Sequence, residues 1–395
     1  MIFLKIITLH FKHILNILIF IIILISLIVF SKIDFVSIKD TLDVFLNITF
    51  PSLFPFILFI QICLNTNIFV SIKKILWFLP RIFNLSPNTS IIILLSYLAG
   101  FPSGASMSNK LYCDNQITKK DVDILSVFTN NCSPIFIIIT VGFALLNSIK
   151  IGLLLLVSHF ISSLIIGFVY SKIYTYIIHE NGPNLKCKHK KDILITQKNS
   201  TFFDIVSKSL TSAFKICLNM LGFMLFFNIL SDILIYILEY LGITNKILLY
   251  NLSGIFEVVE GVKHLALNSS TSTYEILFNS IIYISILLGF SGISVVFQVK
   301  NELKDTTVKL KTIIISKILH GILSGIITYI LLLSTSILNT EVLNVYSNID
   351  INRADIIKMY NIYINSCAVI LFTLSTWLVI RFNLKQKISL SKLLG

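Results

Sequence analysis

The 395-residue sequence has few charged residues: Asp, Glu, Lys and Arg together make up only 13%, whereas 55% of residues are hydrophobic. A soluble domain carries roughly a quarter charged residues, so this composition excludes an ordinary soluble protein. Cysteine is also scarce, and its six occurrences include no C-x-x-C pair. We therefore expect neither a zinc site nor a disulfide framework, and the composition predicts a polytopic membrane protein.

Motifs for enzymatic chemistry are missing as well. The sequence contains no G-x-S-x-G and no phosphate-cradling G-x-x-x-x-G-K, and His179-Glu180 begins a zincin-like motif that lacks its second histidine. An ATP-driven pump is therefore not expected from this sequence alone. We therefore predict no catalytic residues, no cofactor and no bound metal.

The net charge of +13 does not indicate a nucleic-acid partner. Lys and Arg lie mostly in loops and near the chain ends, without interleaved aromatic residues. Basic loops of this kind set membrane topology and contact lipid head groups. The predicted macromolecular environment is the lipid bilayer.

Apolar runs divide the sequence into two similar halves. Residues 1–32 are predicted to form an N-terminal transmembrane helix, because Ile14 to Phe30 is uncharged and apolar and no small-x-small cleavage site of a signal peptide follows it. A basic polar loop over 179–208 then separates repeat 1 (33–178) from repeat 2 (209–395).

One apolar segment in each half is broken after a Gly-Phe pair, at Gly100-Phe101 and at Gly289-Phe290. Small polar residues follow each pair, and Gly, Pro and Ser at this density stop a helix. Lipid cannot satisfy the freed backbone groups, so we predict re-entrant hairpins over 88–112 and 272–303. Paired breaks of this kind are typical of secondary transporters.

The two Gly-Phe pairs are 189 residues apart, and this register places His320 opposite Asn131. A second register would match His159 with His320. We prefer the first, because the second breaks the order hairpin, helix, helix that the predicted hairpins impose. The predicted fold is an all-α polytopic membrane protein with about seven transmembrane helices and two re-entrant hairpins in two structural repeats. The basic C-terminal residues favour a cytoplasmic C-terminus and an inverted repeat favours the opposite, so orientation stays open.

Polar residues at the breaks are the predicted substrate-binding residues. A half-helix N-terminus presents free N–H groups and partial positive charge, which suit a small anion. The alternative is that small residues there serve only close helix packing. Pro134 interrupts a further apolar segment, and the carboxamides of Asn130 and Asn131 beside it either contact the ligand or cap this interruption themselves. The predicted residues are Ser103, Gly104, Ser106, Asn109, Asn130, Asn131, Ser133, Ser291, Gly292, Ser294 and His320.

Glu257 and Glu260 stand in an otherwise apolar stretch and are the candidates for binding a coupling Na⁺ or H⁺. The alternative is that they pair with Lys263 in an exposed loop.

Several short motifs occur in an order that resembles a known family. They are Phe50-Pro-Ser-Leu-Phe-Pro-Phe56, Gly100-Phe-Pro-Ser-Gly-Ala105, Ser126 to Pro134, the helix of His159, Glu257-Val-Val-Glu-Gly261 and Gly289-Phe-Ser-Gly292. The sequence resembles the YlbJ-type sporulation integral membrane proteins, which carry the nucleoside-recognition gate domain and are distantly similar to concentrative nucleoside transporters. It departs from the family at Val259, where the family has Thr, and at Cys132-Ser133-Pro134, where it has Ser-Asn-Pro.

The resemblance implies a stage V sporulation transporter that moves dipicolinic acid, a small aromatic dicarboxylate, across the outer forespore membrane. An ion-coupled nucleoside or nucleobase transporter is the alternative within transport. A sporulation membrane assembly or scaffold protein is the alternative from another class. A homo-oligomer is compatible with each of these functions.

Overall fold

A computed structural model describes residues 28–66, 76, 78–177, 201–269 and 274–334. All regular elements in these ranges are helical, and five segments are long and apolar enough to cross a membrane: Ser31–Leu64, Ile149–Tyr176, Phe202–Tyr240, Glu275–Glu302 and Leu310–Ser334. The predicted all-α membrane architecture is thereby confirmed. The predicted N-terminal helix lies almost wholly outside the described residues, as do most of the basic loop and everything after residue 334.

We number the helices in chain order. The first part of the chain has α1 (Ser31–Leu64, with a π-helical turn at Phe45–Thr49), α2 (Leu79–Ile82), α3 (Ser90–Ala99), α4 (Ser103–Cys113), α5 (Lys119–Phe128), the π-helical α6 (Phe136–Leu145) and α7 (Ile149–Ile177). The second part has α8 (Phe202–Tyr240), α9 (Lys246–Phe256), α10 (Val258–Ser269), α11 (Tyr274–Phe290), α12 (Gly292–Glu302) and α13 (Leu310–Ser334).

Each half contains a helical hairpin, then an interrupted helix, then a long apolar helix. In the first half these are α3–α4, α5–α6 and α7, and in the second they are α9–α10, α11–α12 and α13. The arms of both hairpins pack against each other. In α9–α10 the packing is close enough that a Cβ on Gly261 would lie 2.1 Å from the Cα of Gly254. Only glycine permits two backbones to approach in this way.

The predicted hairpin over 272–303 is wrong. Helices α11 and α12 belong to one 28-residue apolar segment, Glu275–Glu302, which is interrupted only at Ser291. Helix α11 packs mainly against α13, and α12 packs mainly against α8. A hairpin needs its arms to contact each other, and in the second half the glycines that permit this are in α9 and α10.

The 189-residue register, which pairs Gly100 with Gly289, is also wrong, because it matches a hairpin to an interrupted helix. The structure has the second register. Helices α7 and α13 begin at residues 149 and 310, and His159 and His320 stand at matching positions, so both pairs differ by 161. The order hairpin, interrupted helix, long helix is kept once α9–α10 is taken as the second hairpin.

The two halves pack together through α7 and α13. Hydroxyl groups join them in the interior, where Thr328 Oγ1 lies 2.8 Å from Ser158 Oγ and 2.7 Å from Ser285 Oγ. The opposite faces of the long helices expose large apolar side chains, among them Phe168 and Ile322. Apolar residues on the outside and hydrogen-bonded hydroxyl groups on the inside are the arrangement expected in lipid.

Candidate functional site at the helix breaks

A pocket lies where the hairpin tips meet the interrupted helices. Both halves contribute to it, together with α1, which supplies two hydroxyl side chains and a leucine, and α8, which supplies two methionines. The lining residues are Thr49, Ser52, Leu53, Phe101, Ser133, Phe136, Met220, Met224, Glu257, Val259 and Gln298. Among the predicted site residues, Ser133 and Glu257 line this pocket.

In the first half, the tip of hairpin α3–α4 rests on the break between α5 and α6. The N–H of Phe101 donates to the carbonyl of Asn131 at 2.7 Å. Gly100 has φ 80°, a conformation that favours glycine, and a Cβ there would lie 2.9 Å from the backbone nitrogen of Ser133. The contact fixes the position of Phe101 on the pocket wall.

The second half has the matching contact between the tip of α9–α10 and the break at Ser291. A Cβ on Gly292 would lie 3.1 Å from the nitrogen of Val258 and 3.2 Å from the carbonyl oxygen of Phe256. Glu257, at this tip, is 1% exposed, and its Oε2 accepts hydrogen bonds from the N–H groups of Val259 at 2.8 Å and Glu260 at 3.1 Å. The carboxylate therefore caps α10 while lining the pocket.

The two carboxamides beside the first break have different surroundings. Asn130 Oδ1 accepts from the N–H of Ala105 at 2.9 Å, and its Nδ2 donates to the Ser126 carbonyl at 3.3 Å. Asn131 Nδ2 donates to the Phe128 carbonyl and to Ser163 Oγ, but its Oδ1 is buried without a hydrogen-bond partner. The side chain of Asn130 thus binds backbone groups of α4 and α5 on either side of the break, whereas Asn131 retains a free acceptor.

The predicted serine hydroxyl groups all have partners in the protein. Ser103 donates to the Gly100 carbonyl, Ser291 donates to the Leu288 carbonyl at 3.0 Å, and Ser294 accepts from Gln298 at 3.0 Å. Ser133 Oγ accepts from the N–H of Phe136 at 3.3 Å. Gly104 serves packing, since a Cβ there would lie 2.1 Å from the Thr129 carbonyl oxygen.

Three further predicted residues, which are also absent from the pocket lining, have partners of their own. Ser106 is hydrogen-bonded to Glu302, and Asn109 Nδ2 donates to Asp305 Oδ2 at 3.0 Å. Glu260 pairs with Lys263 at 3.3 Å and lies 3.8 Å from His264. The alternative of an ion pair with Lys263 therefore applies to Glu260 and not to Glu257.

His320 and His159 form a buried link between the long helices. His320 Nε2 donates to the carbonyl of His159 at 2.9 Å, and the two rings are 4.5 Å apart. His159 Nε2 accepts from the N–H of Cys132 at 3.1 Å. This chain of contacts extends from α13 through α7 to the first break, so His320 contributes to the site by positioning the backbone of that break.

Sequence reasoning missed Lys317 and Gln298. Lys317 is 2% exposed in the first third of α13, and its Nζ donates to the Asn130 carbonyl and to Ser291 Oγ. Gln298 is 2% exposed, and its Oε1 has no hydrogen-bond partner. A lone lysine inside an apolar run was a usable signal, since buried charge in a membrane segment marks function by default.

Within the described residues, no group of three or more His, Cys, Asp or Glu side chains could hold a metal ion.

The fold and the five apolar spans define a multi-pass integral membrane protein with a buried pocket that residues from both halves of the described chain line. The chain is 25% identical over 320 residues to the sporulation integral membrane protein YlbJ of Bacillus subtilis (strain 168), covering 75% of this chain and 77% of that protein. This similarity supports a YlbJ-type membrane protein. No family model matches the chain, and no solved structure matches it significantly.

Proposed function

We propose that this protein is a secondary transporter that moves dipicolinic acid across the outer forespore membrane during sporulation. The similarity to a sporulation integral membrane protein supports a role in sporulation. The pocket at the helix breaks supports transport, and the dicarboxylate follows from the family resemblance. In this proposal the α3–α4 and α9–α10 hairpins are re-entrant elements of two structural repeats.

The observation that carries the proposal is the meeting of both hairpin tips and both interrupted helices around one pocket. Phe101 and Glu257 come from the tips, Ser133 follows the first break, and Gln298 follows the second. Interrupted helices in a bilayer are costly unless the freed backbone groups are buried in protein or line a polar cavity. Secondary transporters place such breaks at the substrate site, near the interface between their repeats.

Glu257 is the proposed coupling group. It lines the pocket, it is buried, and its Oε2 is oriented by two backbone N–H groups. A Na⁺ ion or a proton bound there would neutralise the carboxylate and allow an anionic substrate into the same pocket. Substrate and cation would then enter together, which is the basis of symport.

The test is complementation of a sporulating deletion strain, with spore dipicolinate content as the measurement. The wild-type gene should restore the content, and a Glu257→Gln variant that reaches the membrane should not. Glu275→Gln is the matched control, because Glu275 is exposed. Normal dipicolinate content in the deletion strain would refute the proposed substrate.

A nucleoside or nucleobase is the second candidate substrate, favoured by the pair Glu257 and Gln298 on the pocket wall. A carboxylate and a carboxamide together accept from and donate to ribose hydroxyls and base edges. Uptake of labelled nucleosides into proteoliposomes, with dipicolinate as competitor, separates the two. Saturable nucleoside uptake that dipicolinate does not inhibit would favour this second candidate.

A further inference from the structure

Lys317 has an unusual environment for a buried charge. It lies in α13 and is 2% exposed. Its Nζ donates one hydrogen bond to the Asn130 carbonyl and another, of 3.1 Å, to Ser291 Oγ. None of the described carboxylates forms an ion pair with it. A buried ammonium without a counter-ion is expensive, so its oxygen partners must offset its desolvation.

The two oxygens come from equivalent places in the two halves. Asn130 and Ser291 differ by 161 residues, the same separation that relates α7 to α13 and His159 to His320. Asn130 lies at the interruption after α5, and Ser291 lies at the interruption after α11. One ammonium group therefore binds both interruptions at once.

Carbonyl and hydroxyl oxygens at interrupted helices are the ligands that transporters use for Na⁺. We infer that the two breaks form a cation site whose permanent occupant is the Lys317 ammonium, so that the protein carries its own cation where an ion would otherwise hold the breaks together. The inference deepens the proposed function, on which it rests for the role of the breaks in transport. Glu257 remains the group for an exchangeable cation.

The experiment removes the ammonium and supplies it again as a free ion. Thermal unfolding of the purified full-length protein in detergent is measured for wild type, Lys317→Ala and the control Lys311→Ala, whose lysine is exposed on the same helix. Propylammonium replaces the deleted atoms from Cγ to Nζ. Propanol matches its chain without the charge, and choline supplies a charge too bulky for the site.

We expect Lys317→Ala to lower Tm by about 4 °C or more, and Lys311→Ala to leave it unchanged. Propylammonium should raise the Tm of Lys317→Ala saturably, as a ligand of the folded state does, and should not affect wild type. Propanol and choline should not restore it. Equal restoration by propanol would overturn the inference, because packing and not charge would then be the missing component. So would an unchanged Tm in Lys317→Ala, or no response of that variant to propylammonium.

If Lys317→Ala cannot be purified, a double-mutant cycle with milder changes decides the question. Lys317→Met keeps most of the side-chain volume, and Ser291→Ala removes one oxygen ligand. The loss of Tm in the double variant should be clearly smaller than the sum of the single losses, since both remove the same contact. Additive losses would overturn the inference. Tm does not depend on a substrate, so failure here leaves the transport proposal standing, and failure of transport leaves the Tm result standing.

Discussion

Asn130 Oδ1 accepts a hydrogen bond from the backbone N–H of Ala105 at 2.9 Å. The bond joins the interruption after α5 to the first turn of α4, where backbone N–H groups have no partner within the helix. Asn130 also donates to the Ser126 carbonyl and offers its own carbonyl to Lys317. One residue therefore connects a hairpin, an interrupted helix and α13, and its side chain is engaged by the protein itself.

Replacing Asn130 by Ala should destabilise the protein more than it alters any ligand contact. The change leaves the buried N–H of Ala105 without an acceptor, which costs about 1–3 kcal/mol. Asn251→Ala is the control, because that carboxamide donates only to the Ile247 carbonyl in its own helix. Thermal unfolding in detergent measures both. Equal losses in the two variants would contradict the role assigned to Asn130.

Gly104→Ala should prevent correct packing of α4 against the first break. The added Cβ would lie 2.1 Å from the carbonyl oxygen of Thr129, and backbone cannot move aside cheaply. We expect a loss of about 3 kcal/mol or failure to accumulate in the membrane. Gly222→Ala in α8 is the matched control, with nothing within 4 Å of the new Cβ. It should fold normally, because alanine is the better helix former.

Expression level and monodispersity in detergent report the difference between these glycines. A Gly104→Ala protein that behaves like Gly222→Ala would show that the tip of α3–α4 does not rest on Thr129 as described.

The positions of the breaks were predictable, but the direction of the chain after each break was not. Gly100 and Ser291 lie in short stretches of helix-breaking residues, which act locally. Whether the chain then turns back or continues depends on what each arm contacts. Gly254 and Gly261 on either side of Glu257 permit a close antiparallel pair, and that spacing was the missed sign of the second hairpin.

The candidate site was predictable in outline for a similar reason. Ser133 and Glu257 were identified because they are polar residues in apolar surroundings, and both line the pocket. Ser106 and Asn109 were placed with them by proximity in sequence, yet they lie on a face of α4 whose partners come from the α12–α13 region. A helix face cannot be assigned to a site before its neighbours are known.

Glu257→Gln should preserve the fold and abolish coupling. Glutamine retains an oxygen that can accept from the N–H groups of Val259 and Glu260, but it cannot hold a proton or a cation through negative charge. We expect transport driven by an ion gradient to fall about tenfold or more, equivalent to ~1.4 kcal/mol. Proteoliposome uptake under Na⁺ and proton gradients is the measurement.

Glu260→Gln provides the comparison, because Glu260 is paired with Lys263 and does not line the pocket. The substitution should change uptake little, and the dependence of uptake on Na⁺ and proton gradients should match that of wild type. Unaltered ion dependence in Glu257→Gln would exclude Glu257 as the coupling group.

Gln298→Met should reduce transport with little effect on stability. The side chain lines the pocket, its Oε1 is buried without a partner, and its Nε2 donates only to Ser294 in the same helix. Methionine fills a similar volume, so the change removes polar groups without opening a cavity. If the carboxamide contacts the substrate, apparent KM should rise about tenfold, which corresponds to a loss of ~1.4 kcal/mol of binding free energy. Tm should change by less than about 2 °C. Ser294→Ala breaks the same internal hydrogen bond but keeps the carboxamide in the pocket, so it should leave KM unchanged. A rise in KM of equal size in both variants would assign the effect to the Gln298–Ser294 contact and not to the substrate.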